Sequence, residues 1–316
     1  YRIGDNILMI EKRGKIKAFL EISRARLLLG SIGLPLAGLL LGAGNINEFM
    51  NLKSLLYVLL HYSIIVPACH LNCLCDYNVD RKYKRYMSES VDILGKRLIK
   101  VLIIVEFSIA VLIILYFVTL GRIVTSVCGV LGIISAVTYS AEPFRIKRRG
   151  FLSPFPVMIG MYTLSPLGGW FVFRDGIDLP FIMFIAGYAL MNEGFTLVNT
   201  CEDYSGDKTE GIRTWAHVFG LKRTLQISAI FSFCGLLSIM CLGYKIYLSF
   251  DGLKDMPDAI LLILSAILVL KAAFEVNDVR KGRDLEQRAK LYGKKLAKWF
   301  ISTRYPMVLA ALFILL

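Results

Sequence analysis

The sequence predicts an all-α, polytopic membrane protein with nine transmembrane helices around a central cavity, and three observations predict it. Of the 316 residues, 56% are apolar, and the mean hydropathy is +0.61. The apolar residues gather into runs of about 18 or more, long enough as helices to cross the ~30 Å hydrocarbon core of a bilayer. The basic residues alternate by loop, with 31 of the 37 Lys and Arg falling in one set of loops.

In order, the spans are read at 20–44, 52–75, 97–118, 121–141, 151–173, 179–200, 223–247, 258–279 and 300–316. The first follows a basic arm and is too long for a cleavable signal. The second and sixth each run out into an acidic stripe, and these stripes lie 127 residues apart. That spacing predicts two four-helix pseudo-repeats in the same orientation, with the ninth helix appended. Pro35, Pro67, Pro154, Pro156 and Pro166 lie in or near spans, where freed carbonyls need a neighbouring helix, so kinks around a cavity are expected. The ninth span is barely long enough to cross.

The basic set comprises seven residues through Arg26, seven from Arg81 to Lys100, four from Arg145 to Arg149, four from Lys208 to Arg223 and nine from Arg280 to Arg304. By the positive-inside rule these loops and the N-terminus are cytoplasmic, and nine spans put the C-terminus outside. Residues 1–19 and 280–298 mix apolar and basic side chains, as interfacial segments do. Residues 20–316 then form one transmembrane domain, capped by cytoplasmic loops 76–96 and 201–222. The net charge of +13 reflects topology, anionic headgroups and phosphate, with no call for nucleic acid. Seven scattered cysteines, none in a paired spacing, exclude a zinc or disulfide framework.

Function is read from the stripes. Asn72, Asp76 and Asp80 recur as Asn199, Asp203 and Asp207, and a spacing of four places each set along one helix edge. An edge of oxygens suits a hard cation such as Mg²⁺. Basic residues follow each stripe at once: Arg81, Lys82, Lys84 and Arg85 after the first, Lys208 and Arg213 after the second. Carboxylates that hold cations, backed by bases that pair phosphate oxygens, form a set suited to a metal-bridged diphosphate. Gly206 weakens the helix before Asp207, placing that residue on a turn. A third segment, TYSAEPFRIKRRG from Thr138 to Gly150, brings Arg145 and Lys147 to the same face, with Tyr139 one turn deeper and able to present its ring to an allylic cation.

Polar residues inside the spans need partners. Lys271 and Glu275 are expected to pair, Asn192 and Glu193 lie below the second stripe where they could line a cavity for an acceptor, and Glu106 has no assigned role. His61 and His70 read as packing residues and His217 as a loop residue.

The stripes, their basic tails and the third segment together resemble the UbiA superfamily of intramembrane prenyltransferases, over most of Phe19–Gly220. The resemblance implies nine helices around a lateral cavity, and Mg²⁺, two ions, on Asn72, Asp76, Asp80, Asp203 and Asp207. It further implies that Arg85 and Lys147 bind the diphosphate of an isoprenyl donor, joined by Asn199 and Lys208. The Tyr-Ser-Ala-x-Pro run is similar to that of members with large or lipid-like acceptors, such as chlorophyll synthases. Cys73 after Asn72, and the lack of proline from Arg81 to Ser90, depart from the usual pattern near the acceptor and cap. The expected function is transfer of an isoprenyl group to an aromatic or lipid-like acceptor by ionisation of the allylic diphosphate. Asp76, Asp80, Asp203, Asp207 and Lys147 carry the chemistry, and Asn72, Arg85, Arg145, Asn199, Lys208 and Tyr139 line the donor site. A cation-coupled carrier is the competing class, but it would need its site near the midplane rather than at one rim.

Overall fold

The apolar runs fold as helices because a helix satisfies its own backbone polar groups where no water is available. The computed structural model describes residues 14–249 and 256–316; residues 1–13 of the predicted interfacial arm lie outside them. The chain begins with α1 (Lys15–Ile22), then α2 (Ala25–Ser31) and α3 (Gly33–Gly42). α4 (Leu52–Cys75), two short cap helices α5 (Tyr77–Tyr83) and α6 (Arg85–Leu94), α7 (Lys96–Thr119) and α8 (Ile123–Ser140) complete the first half. The second half holds α9 (Leu164–Trp170), α10 (Leu179–Glu202), the short α11 (Tyr204–Thr209) and α12 (Trp215–Phe219), α13 (Leu221–Phe233), α14 (Gly235–Ser249) and α15 (Met256–Val279). α16 (Leu285–Gly293) and α17 (Leu296–Phe313) end the chain.

Among the described residues, seven helices are long and apolar enough to cross a membrane: Ala25–Gly42, Leu52–Cys75, Lys96–Thr119, Ile123–Ser140, Leu179–Glu202, Leu221–Leu248 and Met256–Val279. The other two predicted spans differ for physical reasons. The fifth is broken into Phe155–Val157, a π-helical turn Met158–Thr163 and α9, with Pro156 and Pro166 on either side of the turn. The ninth is α17, which contains Pro306 and the fully buried Arg304. The first span starts later than predicted, because Arg24 takes a left-handed φ of 52° between α1 and α2.

Caps set the helix starts. The Asn51 side chain accepts from the Lys53 amide before α4, and Asp178 accepts from the Phe181 amide before α10. α4 packs chiefly on α7, and α10 on α13, so the second and third helices of each half are partners. The halves meet where backbones touch. A Cβ on Gly38 of α3 would lie 1.9 Å from the Pro166 carbonyl oxygen of α9, a contact with backbone that no rotamer change relieves. Gly38→Ala is therefore expected to lower stability by about 1–3 kcal/mol through forced separation of the helices, read as a fall in the Tm of the detergent-solubilised protein.

Several intramembrane polar groups are partnered in ways the sequence conceals, while Glu193 Oε2 is buried without a partner among the described residues. Glu275 bonds Lys295 (3.2 Å) and Trp299 (2.9 Å) rather than the expected Lys271, because α17 returns beside α15. His70 is more than packing: its ring joins Ser23 Oγ (2.9 Å) at one nitrogen and Glu106 (3.1 Å) at the other. This ties α4 to α7 and to the turn that carries Arg24. His217 is helical, not looped, and closes a capping box with Thr214. Arg304, counted by sequence among cytoplasmic loop charges, donates to Asn192 Oδ1 and to the Gly30 carbonyl, both at 2.7 Å, and lies 4.0 Å from the Phe300 ring centre.

Candidate active site

Both acidic stripes break at their middle residue. α4 ends at Cys75 and α5 starts at Tyr77, with Asp76 between them at φ −97°, ψ 5°. α10 ends at Glu202 and α11 starts at Tyr204, with Asp203 at φ −96°, ψ 8°. The matching conformations lie in the sparsely populated bridge region where many active-site residues are found. In each half the break re-aims the third residue of the stripe, Asp80 or Asp207. Asp207 itself is in a helical turn of α11, so Gly206 does not loosen the helix there.

The re-aimed stripes line one cavity of 490 Å³, walled by Asn72, Asp76, Asp80, Asn199, Asp203 and Asp207 together with Tyr139 and Lys147. Direct bonds tie its two sides. Lys84 Nζ lies 2.7 Å from Asp203 Oδ2, Lys82 lies 2.7 Å from Glu210, and the Tyr83 hydroxyl bonds Thr209. The loop after α8 is held against the second stripe's loop, since the Gly150 amide donates to the Arg213 carbonyl at 2.8 Å.

Lys147 and Arg145 converge on the first stripe. Lys147 Nζ bonds Asp76 and reaches Asn72 Oδ1 at 2.7 Å. Arg145 Nη2 lies 2.9 Å from Asp76 Oδ1 and 3.0 Å from the Cys75 carbonyl. Burial opposes the Asp76 charge, but Lys147 and Arg145 outweigh it and hold the carboxyl below its ordinary value. Asp80 and Asp207 differ. Neither is among the described residues with a side-chain bond or ion pair. Burial, then the neighbouring Asp76, pushes Asp80 up to about 6. Burial, then Asp203, pushes Asp207 up to about 7. Two raised carboxyls without a cation of their own line a cavity that already contains lysines.

Two predicted phosphate-binding residues lie elsewhere. Arg85 starts α6, is 63% exposed at its side chain and pairs with Glu89 at 3.0 Å; Lys208 is exposed on α11. Lys84, one residue before Arg85, takes the place expected for it. Arg24 was also missed, because its charge was absorbed into the basic N-terminal arm. Its side chain lines the polar cavity and has no bonded partner among the described residues. α16, expected only as an interfacial segment, brings Glu286 and Lys290 to the cavity rim, where the Ser205 amide donates to Glu286 at 3.3 Å.

A second, largely apolar cavity of 260 Å³ opens beneath the first and shares Arg24, Asn72, Tyr139, Asn199 and Thr200 with it. Its deeper walls come from α2, α4, α8, the π-helical turn and α17. A charged head with a hydrocarbon tail matches the shape and polarity of the two together.

Comparison with known proteins agrees with this arrangement. The chain is similar in sequence to the bacteriochlorophyll synthase 33 kDa chain of Rhodobacter capsulatus, at 30% identity over 106 residues, which are 32% of this chain and 35% of that one. Its fold is similar to that of a UbiA homologue from Archaeoglobus fulgidus bound to GPP and Mg²⁺, with TM-score 0.65 and 16% identity over 92% of this chain and 99% of that one. It is similar as well to a structure described for digeranylgeranylglyceryl phosphate synthase, with TM-score 0.63 and 18% identity over 94% and 99% of the two chains. The model of the UbiA prenyltransferase family matches residues 32–301, which is most of the sequence, and on that match the chain belongs to the UbiA prenyltransferase family.

Proposed function

We propose that this chain is an integral membrane prenyltransferase that moves an isoprenyl group from an isoprenyl diphosphate to an aromatic or lipid-like acceptor. The observation that carries the reading is the junction of two cavities, one acidic and basic, the other apolar, across Arg24, Asn72, Tyr139, Asn199 and Thr200. The donor set fits Mg²⁺. Its ligands are all oxygens, and Asp80 and Asp207 lack cation partners of their own. Mg²⁺ is commonly held by one or two carboxylates and completes its shell with substrate phosphates and water. Bound there, Mg²⁺ supplies charge neutralisation to the diphosphate leaving group.

The chain's own groups do the rest. Lys147, Lys84 and Arg24 pair with diphosphate oxygens, so that the allylic C–O bond breaks with its electrons leaving on oxygen. The Tyr139 ring faces the developing cation, with Lys147 Nζ 5.7 Å from its centre. The apolar cavity holds the tail and excludes water that would yield free prenyl alcohol. An acceptor carbon or hydroxyl then forms the new bond and gives up its proton to the released diphosphate. The runs rich in Lys and Arg support a site on the cytoplasmic side and a C-terminus outside.

The test is mass spectrometry of purified protein incubated with Mg²⁺, farnesyl or geranylgeranyl diphosphate and a panel of quinone-precursor, lipid and tetrapyrrole acceptors. Prenylated product supports the proposal; no product or diphosphate release, alongside cation-driven uptake into liposomes, would replace it with the carrier reading.

The acidic groups also fix a pH response. Carboxyls with raised values keep protons that the unfolded chain has lost, so their contribution to stability falls as pH rises from about 4 through 7. A bound cation favours the charged forms and offsets that loss. Mg²⁺ is expected to raise the Tm more at about pH 8 than at about pH 5.5, and its apparent Kd to increase as pH falls below about 7. A Tm shift independent of pH would remove Asp80 and Asp207 from the cation site.

A further inference from the structure

Among the described residues, only two that are not glycine take a left-handed φ, and both are arginines of the site: Arg145, which bonds Asp76, and Arg24. A residue with a Cβ is strained in that conformation and stays there only where its surroundings hold it. Arg24 has φ 52° and ψ 45° at the turn from α1 to α2. Its side chain lines the polar and the apolar cavity alike. Its charge acts on Asp80, Lys84, Tyr139 and Lys147.

The groups that hold the turn lie behind it. Ser23, the residue before Arg24, is 3% exposed, and its Oγ is 2.9 Å from Nε2 of His70 on α4. His70 is fully buried, and its Nδ1 is 3.1 Å from Glu106 Oε2 on α7. A carboxylate only accepts, so Nδ1 bears the hydrogen, and a bond at each nitrogen fixes the plane of the ring. The Phe19 ring of α1 meets the imidazole edge to face, with centres 5.5 Å apart. Two other contacts tether α1: Ser90 Oγ of α6 donates to Glu21 Oε2 at 2.6 Å, and Cys73 Sγ lies 3.7 Å from the Ile22 carbonyl. The Ser23 bond is the one next to the strained residue.

We propose that His70 and Glu106 are positioning residues, which act through Ser23 to hold the left-handed turn that keeps Arg24 at the junction of the two cavities. The inference rests on the prenyltransferase reading above. Ser23, His70 and Glu106 are not among the residues lining either cavity, so any effect they have on a ligand passes through the turn. A carboxylate within the apolar α7 is costly, and packing alone would be served by leucine. Orienting the imidazole gives Glu106 a use that offsets that cost.

The test is calorimetry of the detergent-solubilised protein with farnesyl and geranylgeranyl thiodiphosphate, whose C–S bond is slow to ionise, in the presence of Mg²⁺. Arg24→Gln is expected to weaken binding about 30-fold, as when a charged hydrogen-bond donor is lost. Ser23→Ala and His70→Ala should each weaken it by about tenfold, and Glu106→Leu by less, while Ser23→Thr, which keeps the hydroxyl, should bind as the wild type does. Glu106→Leu and Ser23→Ala keep the test sharp where a cavity at His70 prevents folding, since one suits the bilayer and the other removes a single oxygen. The double variants decide between positioning and general stability. In the Arg24→Gln background, Ser23→Ala and Glu106→Leu should cost no further affinity, because the contact they position is already gone. Losses that add to that of Arg24→Gln overturn the proposal, as does wild-type affinity in Arg24→Gln or in both Ser23→Ala and Glu106→Leu. If the wild type binds neither thiodiphosphate, it is the donor reading that fails, and this inference with it.

Discussion

Asp76→Ala should reduce diphosphate release by about 100-fold or more, the scale seen when one preorganised electrostatic contact is lost from an active site. The loss extends beyond one metal ligand. Asp76 is the residue on which Lys147 and Arg145 both converge, and without it two buried cations repel each other across the place where the donor's phosphates are to sit. Asp76→Asn keeps the shape and should lose nearly as much, because the amide cannot balance two cations. Asp203→Ala frees a single lysine, Lys84, and should cost somewhat less. Lys84→Ala should in turn cost more than Arg85→Ala, which reverses the order expected from sequence. Release of diphosphate from isoprenyl donors in the presence of Mg²⁺ checks all five variants; a rate unaffected by Asp76→Ala or Asp203→Ala would sink the assignment.

The largest effect on stability is expected at Arg304. Its guanidinium is fully buried and bonds Asn192 and the Gly30 carbonyl. Arg304→Leu leaves both oxygens without a donor in an environment with no water, at about 3–5 kcal/mol. The asymmetry of hydrogen bonding makes a sharper test. Removing one partner strands the other, whereas replacing both by apolar groups costs far less. Arg304→Leu with Asn192→Leu should therefore recover part of the Tm lost in the single variant. Equal or additive losses would show that the arginine acts by packing against Phe300 instead.

Much of the frame was legible in the sequence, because hydropathy and the alternation of charge are long-range patterns that do not depend on tertiary contacts. The stripes were legible for the same reason: a spacing of four survives in the fold even though each stripe breaks at its centre. Details that depend on a break were not. Lys84 has φ −131° and ψ 54°, which ends α5 and restarts the helix at Arg85, so a helical register carried through this point selects the wrong cation. Arg24 was hidden by a different break, the left-handed turn between α1 and α2. Arg304 was hidden differently. Its partners stand 112 and 274 positions away in the chain, and a charge near the end of an apolar run reads as a loop charge unless those partners are known. The kink in the fifth span was legible from its prolines, whereas the π-helical turn Met158–Thr163 between Pro156 and Pro166 was not, because it depends on local hydrogen bonding that hydropathy does not reveal.

The pairings across the two stripes also impose an order on synthesis. Asp76 receives its cations from residues 145 and 147, so its charge is matched as soon as the first four long helices have left the ribosome. Lys84 waits for Asp203, and Tyr83 for Thr209. A nascent chain therefore carries the first half of the clamp with its bases in place and one lysine held in reserve. Docking of α10 then supplies the missing carboxylate, and Glu286, Lys290 and Phe300 complete the cavity walls last. A fragment that stops short of Asp207 holds only one complete acidic edge, already matched by bases from its own half.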